Sequence, residues 1–321
     1  MDIGYLLTLQ AFRGSTGDAL TPLMEAVSFF VVSLLIMIPV FIYWAVDKRR
    51  GLFALVSYAL CAAATTLVKL TACVIRPWLR DPRVVPAGKA IDTATGYSFP
   101  SGHTAAAGAI YGALAVSAWK RRRWAAVLCL AVLLLTAFSR NYLGVHTPQD
   151  VAAALGLAAL ALLAVTGIFR YLVKHPEKEN LLLLLAFLAG WAGIAYITLK
   201  PYPVPGAEGA LPVDPREMMT DGYGDLCLLV ALPPARWLEK TRVRFRPTGL
   251  RGRGLALTLL GLVPMAGIYL GLRHPLDALL GPHWGRFCLT FLMVFFAVAL
   301  WPMVIRRVTG ETEEDSQQAT D

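Results

Sequence analysis

Apolar runs close to 20 residues long recur from one end of the chain to the other, separated by short polar loops. The hydrocarbon core of a bilayer is about 30 Å thick and takes about 20 helical residues to cross. Inside lipid, every backbone N–H and C=O must be paired within the protein, so runs like these fold as helices and pack as a bundle. Charged residues make up only 16% of the 321 positions, against about 25% in soluble domains. The chain is therefore expected to be an all-α, polytopic protein of the membrane, and a soluble fold is excluded.

Residues 1–23 mix Leu6, Leu7 and Phe12 with Asp2, Gln10 and Arg13. That pattern reads as an amphipathic helix lying at the interface. The same charges interrupt any signal-peptide core, so none is expected. Nine spans follow, near 24–46, 52–75, 100–120, 124–143, 151–169, 181–199, 222–238, 255–272 and 287–305. They divide into a six-span core (24–199), a three-span extension (200–305) and an acidic polar tail (306–321). The seventh is the shortest, with a kink expected at Pro233 and Pro234. No internal repeat of 20–50 residues is visible, which weakens a transporter reading.

The loops after spans 1, 3, 5, 7 and 9 carry 19 of the 30 Lys and Arg residues. By the positive-inside rule the N-terminus lies outside and the C-terminus in the cytoplasm of a bacterial-type plasma membrane. This alternation also accounts for the net charge of +9, and argues against a nucleic-acid partner. Five cysteines lie singly in apolar segments with no CxxC pair, so neither a disulfide framework nor a zinc site is indicated.

Three stretches carry residues that such spans rarely contain. In the first, Lys69 and Arg76 are seven residues apart, which puts both cations on one helix face. An intramembrane cation costs about 2.5–3.5 kcal/mol on insertion scales, so Lys69, deeper than an interfacial anchor, reads as functional. The second is Ser98-Phe-Pro-Ser-Gly-His-Thr104. Proline at a first helical turn leaves backbone N–H groups pointing outward and glycine lets an anion approach them. Ser101 and Gly102 can then cradle phosphate oxygens, with His103 one residue on. The third stretch places Ser139 and Arg140 before His146, and Asp150 four residues after that histidine, within reach on a helix. A carboxylate on one ring nitrogen would leave the other free to attack, and Arg140 can grip a phosphate with two prongs. In the nine-span topology all three stretches fall at the outer ends of spans 2 to 5. Such a collection suits phosphoryl transfer without Mg²⁺, because fixed cations and helix N–H groups offset the charge of the dianion.

The patterns K-x(6)-R-P, P-S-G-H and S-R-x(5)-H-x(3)-D, from Lys69 to Asp150, match without departure the signature of the type 2 phosphatidic acid phosphatase superfamily, related to vanadium haloperoxidases. The chain resembles this family to about residue 170. The resemblance implies a six-helix core and a metal-independent hydrolase with no cofactor that acts on a lipid phosphate at the outer face. It implies His146 as the nucleophile forming a phosphohistidine, Asp150 as its orienting partner and His103 as general acid. Lys69, Arg76, Ser101, Gly102 and Arg140 are implied as phosphate-binding. In span count alone, the C-terminal extension resembles the sphingosine-phosphate and glucose-6-phosphatase branches.

Among substrates, phosphatidate, phosphatidylglycerophosphate, isoprenoid (di)phosphates and sphingoid-base phosphates stay open. A water-soluble sugar phosphate is the alternative within enzymes, and a non-catalytic lipid-binding or transport relative the alternative outside them. Asp225 reads as structural, and His274 and His283 as residues of an outer loop. Gly108/Gly112 and Gly267/Gly271 permit close helix packing within the chain or in a homo-oligomer. The basic 236–253 loop attracts anionic headgroups.

Overall fold

The structure is a computed structural model that describes residues 2–33, 35–94, 96–202 and 213–310. The acidic tail expected over 306–321 therefore lies outside the described residues from 311 onward. Every regular element among the described residues is helical. An amphipathic α1 (Asp2–Ser15) precedes α2 (Thr21–Ser33), and α3 (Met37–Phe41) continues as a π-helical turn, Ile42–Val46. Then come α4 (Lys48–Ala72), the single turn α5 (Pro77–Arg80), α6 (Gly102–Ala118), α7 (Arg123–Tyr142) and α8 (Pro148–Lys174). After these, α9 is Glu179–Leu199, α10 Pro215–Leu238, α11 Gly252–Phe295 and α12 Trp301–Thr309.

Five helical segments are long and apolar enough to cross a membrane: Lys48–Arg80, Arg123–Tyr142, Pro148–Lys174, Pro176–Leu199 and Gly252–Thr309. Leucines such as Leu134, Leu160, Leu163, Leu184, Leu188 and Leu270 stand exposed along them. In water a contiguous apolar surface of this kind would associate; in a bilayer it is the face that meets the chains.

The helix at the centre is α6, whose sequence GHTAAAGAIYGALAVSA is small and apolar on all sides. A helix apolar all round is a buried one, and α6 packs against α4, α7 and α8. Its two glycines set the spacing to α8. A Cβ on Gly108 would sit 2.6 Å from the Ala158 Cβ, and one on Gly112 2.5 Å from Leu162. That pair is thus used within the chain, whereas Gly267 and Gly271 face open space. On the other side of α4 lies α10, which also packs against α9 and α11.

Local chemistry decides where these helices begin and end. Asp47 caps α4 by accepting from the Arg50 N–H at 3.0 Å, and Cys73 closes the helix in the left-handed region. Asp214 caps α10 (2.8 Å from the Arg216 N–H), with Pro215 in the first turn. This cap starts the seventh apolar helix seven residues before the expected 222, and the chain stays helical through Pro233 and Pro234.

Two further expectations need correction. The first span is not one helix: α2 ends at Ser33 and α3 resumes at Met37. The loop expected between spans 8 and 9 is helical, so His274 and His283 sit on α11. Only Gly281, at φ 76°, leaves the helical region there, just before Pro282. A run of 58 residues would be about 87 Å long at 1.5 Å per residue. That is enough for two crossings, with the break at Gly281 between them.

Candidate active site

Four helix ends converge at one pole of the bundle: the C-termini of α4 and α7 and the N-termini of α6 and α8. The loops between them complete the site. Lys69, in the last turn of α4, is buried and donates to the Tyr97 carbonyl at 3.0 Å and the Pro100 carbonyl at 2.8 Å. It thereby holds the segment leading into α6. Arg76 donates from Nε to the Gly96 carbonyl (2.9 Å) and from Nη1 to the Val145 carbonyl (3.0 Å). The same Nη1 lies 2.9 Å from His146 Nε2. An arginine can only donate, so Nε2 accepts and the ring proton belongs on Nδ1.

His146 sits in the turn between α7 and α8, 1% exposed. Asn141 Nδ2 holds its carbonyl at 2.9 Å. Burial, then the charges of Arg76, Arg140 and Lys69, push its pKa well below the ordinary 6.5 and keep the imidazole neutral. Its Nδ1 is 3.5 Å from Asp150 Oδ2 and 3.5 Å from Ser98 Oγ, the long limit for a hydrogen bond. The carboxylate has firmer partners: Oδ2 accepts from Ser98 Oγ at 2.6 Å and from the Thr147 N–H at 2.7 Å. The second of these is half of a capping box, completed by the Asp150 N–H on Thr147 Oγ1 at 3.3 Å. A cap satisfies orphan donors of the first turn, so Asp150 serves the helix and the imidazole together.

The N-terminus of α6 faces this group. The Ser101 N–H donates to the Asp150 carbonyl at 3.1 Å, tying the starts of α6 and α8 to each other. Ser101 Oγ caps the helix by accepting from the Thr104 N–H at 3.5 Å and also accepts from Thr104 Oγ1 at 3.0 Å, which leaves its own proton to donate elsewhere. The first-turn N–H groups of Gly102 and His103 have no intrahelical acceptor, and a Cβ on Gly102 would meet nothing within 4 Å. His103 Nε2 is buried without a hydrogen-bond partner among the described residues. Arg140, His146, Arg76 and Lys69 all act on it electrostatically.

Arg140 is 0% exposed. It donates from Nη1 to Ser28 Oγ, while Nε and Nη2 have no hydrogen-bond partner among the described residues. Those two nitrogens form one edge of the guanidinium, the edge that grips an oxyanion bidentately. A buried donor left unsatisfied costs about 1–3 kcal/mol, more when charged. A buried fork without a protein partner has the geometry to take an anion.

All eight residues singled out for chemistry lie at this pole, whereas Ser139 turns its hydroxyl back to the Thr136 carbonyl at 2.7 Å. Sequence reasoning assigned nothing to Ser98, Asn141, Thr147 or Ser28, though each holds a member of the site. The T-P-Q-D run before α8 carried a legible signal, since a hydroxyl residue three positions before a carboxylate is a capping-box pattern. Asn141 and Ser28 carried none. Asp225 stands apart and accepts from Thr66 Oγ1 at 2.6 Å. His283 lies 3.1 Å from Thr220 Oγ1, bridging α11 to α10.

Fold and site together define a membrane-type helix bundle with a buried cationic pole bearing two imidazoles. Over residues 50–174 the chain matches the family model of the PAP2 superfamily, a match that supports assignment of this segment to that superfamily. The matched stretch runs from α4 to the end of α8 and contains every one of the eight residues. The match thus supports a PAP2 phosphatase fold for this segment, within a chain that has membrane-length apolar helices. No curated protein and no solved structure matched the chain.

Proposed function

We propose that the chain is an integral membrane phosphatase that hydrolyses lipid phosphate monoesters through a phosphohistidine. The observation that carries this reading is the unpaired Nε/Nη2 edge of buried Arg140 together with the unpaired Nε2 of His103, on which Arg140 acts electrostatically. A tetrahedral dianion placed between them satisfies both, and also meets the first turn of α6, whose dipole favours negative charge.

In the mechanism this suggests, His146 attacks phosphorus with Nε2 once Arg76 turns from that nitrogen to a phosphate oxygen. The phosphorus–oxygen bond to the alcohol breaks, and His103 gives its proton to the leaving oxygen. Water then attacks the phosphohistidine with His103 taking its proton; the phosphorus–nitrogen bond breaks and inorganic phosphate leaves. Asp150 and Ser98 keep the Nδ1 proton in place and offset the charge that grows on the ring. Lys69, Arg76 and Arg140 supply the positive field a metal provides in other phosphotransferases. A lipid substrate is favoured by apolar side chains exposed at the same pole, Phe12, Leu79, Val85 and Ile91, which can seat acyl chains beside the headgroup.

The test is phosphate release by the detergent-purified protein from phosphatidate and from a sugar phosphate. The lipid should be hydrolysed much faster, EDTA should leave the rate intact, and vanadate should inhibit. His146→Ala should fall to background, and His103→Ala should lose about 10²–10⁴-fold. A wild-type rate in His146→Ala would remove the nucleophile, and faster hydrolysis of the sugar phosphate would remove the lipid.

A further inference from the structure

A cavity lies at the opposite pole, 21 residues and about 30 Å along α4 from Lys69. Here α8 and α9, joined through the Pro176–Lys178 turn, pack little against one another. Between them, α4 and α10 lies a cavity of about 1010 Å³, at the top of the roughly 300–1,000 Å³ range of ligand sites. Its wall along the helices is apolar: Leu52, Val56, Phe169, Leu172, Leu182 and Ala186. Its mouth is cationic, formed by Lys48, Arg49, Arg236, Lys240, Arg244 and Arg246.

Two carboxylates pair with three of those cations. Glu179 holds Arg236 at 2.9 Å and Lys240 at 3.0 Å. Fully buried Glu239 pairs with Lys48 and, at 2.5 Å, with Arg236. The ion pairs build a rigid frame, with Arg49 and Arg244 on its exposed rim.

We infer that this cavity binds one anionic phospholipid, its headgroup among the mouth cations and an acyl chain in the seam between α4, α8, α9 and α10. Charge selects the headgroup, since each Lys or Arg near a membrane surface attracts anionic lipid. The apolar wall selects a chain, which the other acidic candidate lacks: residues 311–321, ETEEDSQQATD, contain no large apolar side chain. The lipid would fasten the C-terminal helices to the segment that carries the active site, without touching the site itself.

Native mass spectrometry of the full-length protein, delipidated and re-exposed to phosphatidylglycerol or phosphatidylcholine, tests this. The wild type should retain one phosphatidylglycerol with about a tenfold preference over phosphatidylcholine. Arg49→Gln/Arg244→Gln, on the exposed rim, should erase that preference. Ala186→Trp, which fills the apolar arm, should lose the lipid with the mouth charges intact. Equal retention of the two lipids, or undiminished phosphatidylglycerol in Ala186→Trp, overturns the inference. So does a rise in phosphatidylglycerol retention on truncation after Gly310, because the tail would then be the occupant.

Discussion

His146 shows how much a single position depends on neighbours distant in sequence. Its tautomer is set by Arg76 on one nitrogen, and its orientation by Asn141 through the backbone. Asp150 reaches the other nitrogen only at 3.5 Å, and Ser98 fixes that carboxylate at 2.6 Å. Ser98 is accordingly a positioning residue. Ser98→Ala should lower kcat about tenfold with KM nearly unchanged, since a group acting through another affects the transition state more than binding. An equal rise in KM would mean that Ser98 binds substrate instead. The neutral imidazole has a consequence for pH. Burial and three cations depress its protonation, so the neutral form, which attacks in the proposed mechanism, survives below the ordinary value of 6.5. The acid limb of kcat/KM, which reports the free enzyme, should have its half-point below 6.5. A half-point at or above that value would contradict a buried, cation-flanked nucleophile.

Among the elements, α6 and α8 act as one unit. Their N-termini meet through the Ser101 N–H and the Asp150 carbonyl, and their bodies are held close by Gly108 and Gly112. Gly108→Leu would force the helices apart, at about 1–3 kcal/mol for overpacking. The larger effect should fall on activity, because displacing catalytic groups by about 1 Å can cost about 10²-fold. Gly267→Leu is the control: no atom lies within 4 Å of the added Cβ, so melting temperature and turnover should match wild type. Equal losses in both variants would show that the effect is helix propensity or insertion and not packing. Capping was as legible as the glycine pair. What the pattern concealed was a helix break set by geometry, as at Gly281, where one residue at positive φ separates the two helical segments of α11.

For the whole molecule, the two poles differ in kind. One gathers the imidazoles and the unpaired Arg140 edge, the other a framework of ion pairs and a basic rim. From the distribution of Lys and Arg we propose that the first pole faces outside, and labelling can check it. In a cysteine-free background, a membrane-impermeant maleimide applied to intact cells should label Lys89→Cys, in the loop before α6, and spare Arg253→Cys. The reverse pattern would invert the orientation and place phosphate release in the cytoplasm.

Composition and apolar run length determined by themselves that the chain is a helical membrane bundle, because lipid leaves the backbone no alternative. The residues of the pole were legible for a related reason: charge and imidazole within apolar spans are too costly to be incidental, so they stand out as letters. Tertiary structure alone decided their partners. Whether Arg140 keeps an edge unpaired, whether Asp150 rests on Ser98, and whether Gly108 or Gly267 meets another helix depend on distances between segments dozens of residues apart. No local pattern encodes such distances; they are set by how the side chains of separate helices fill the space between them.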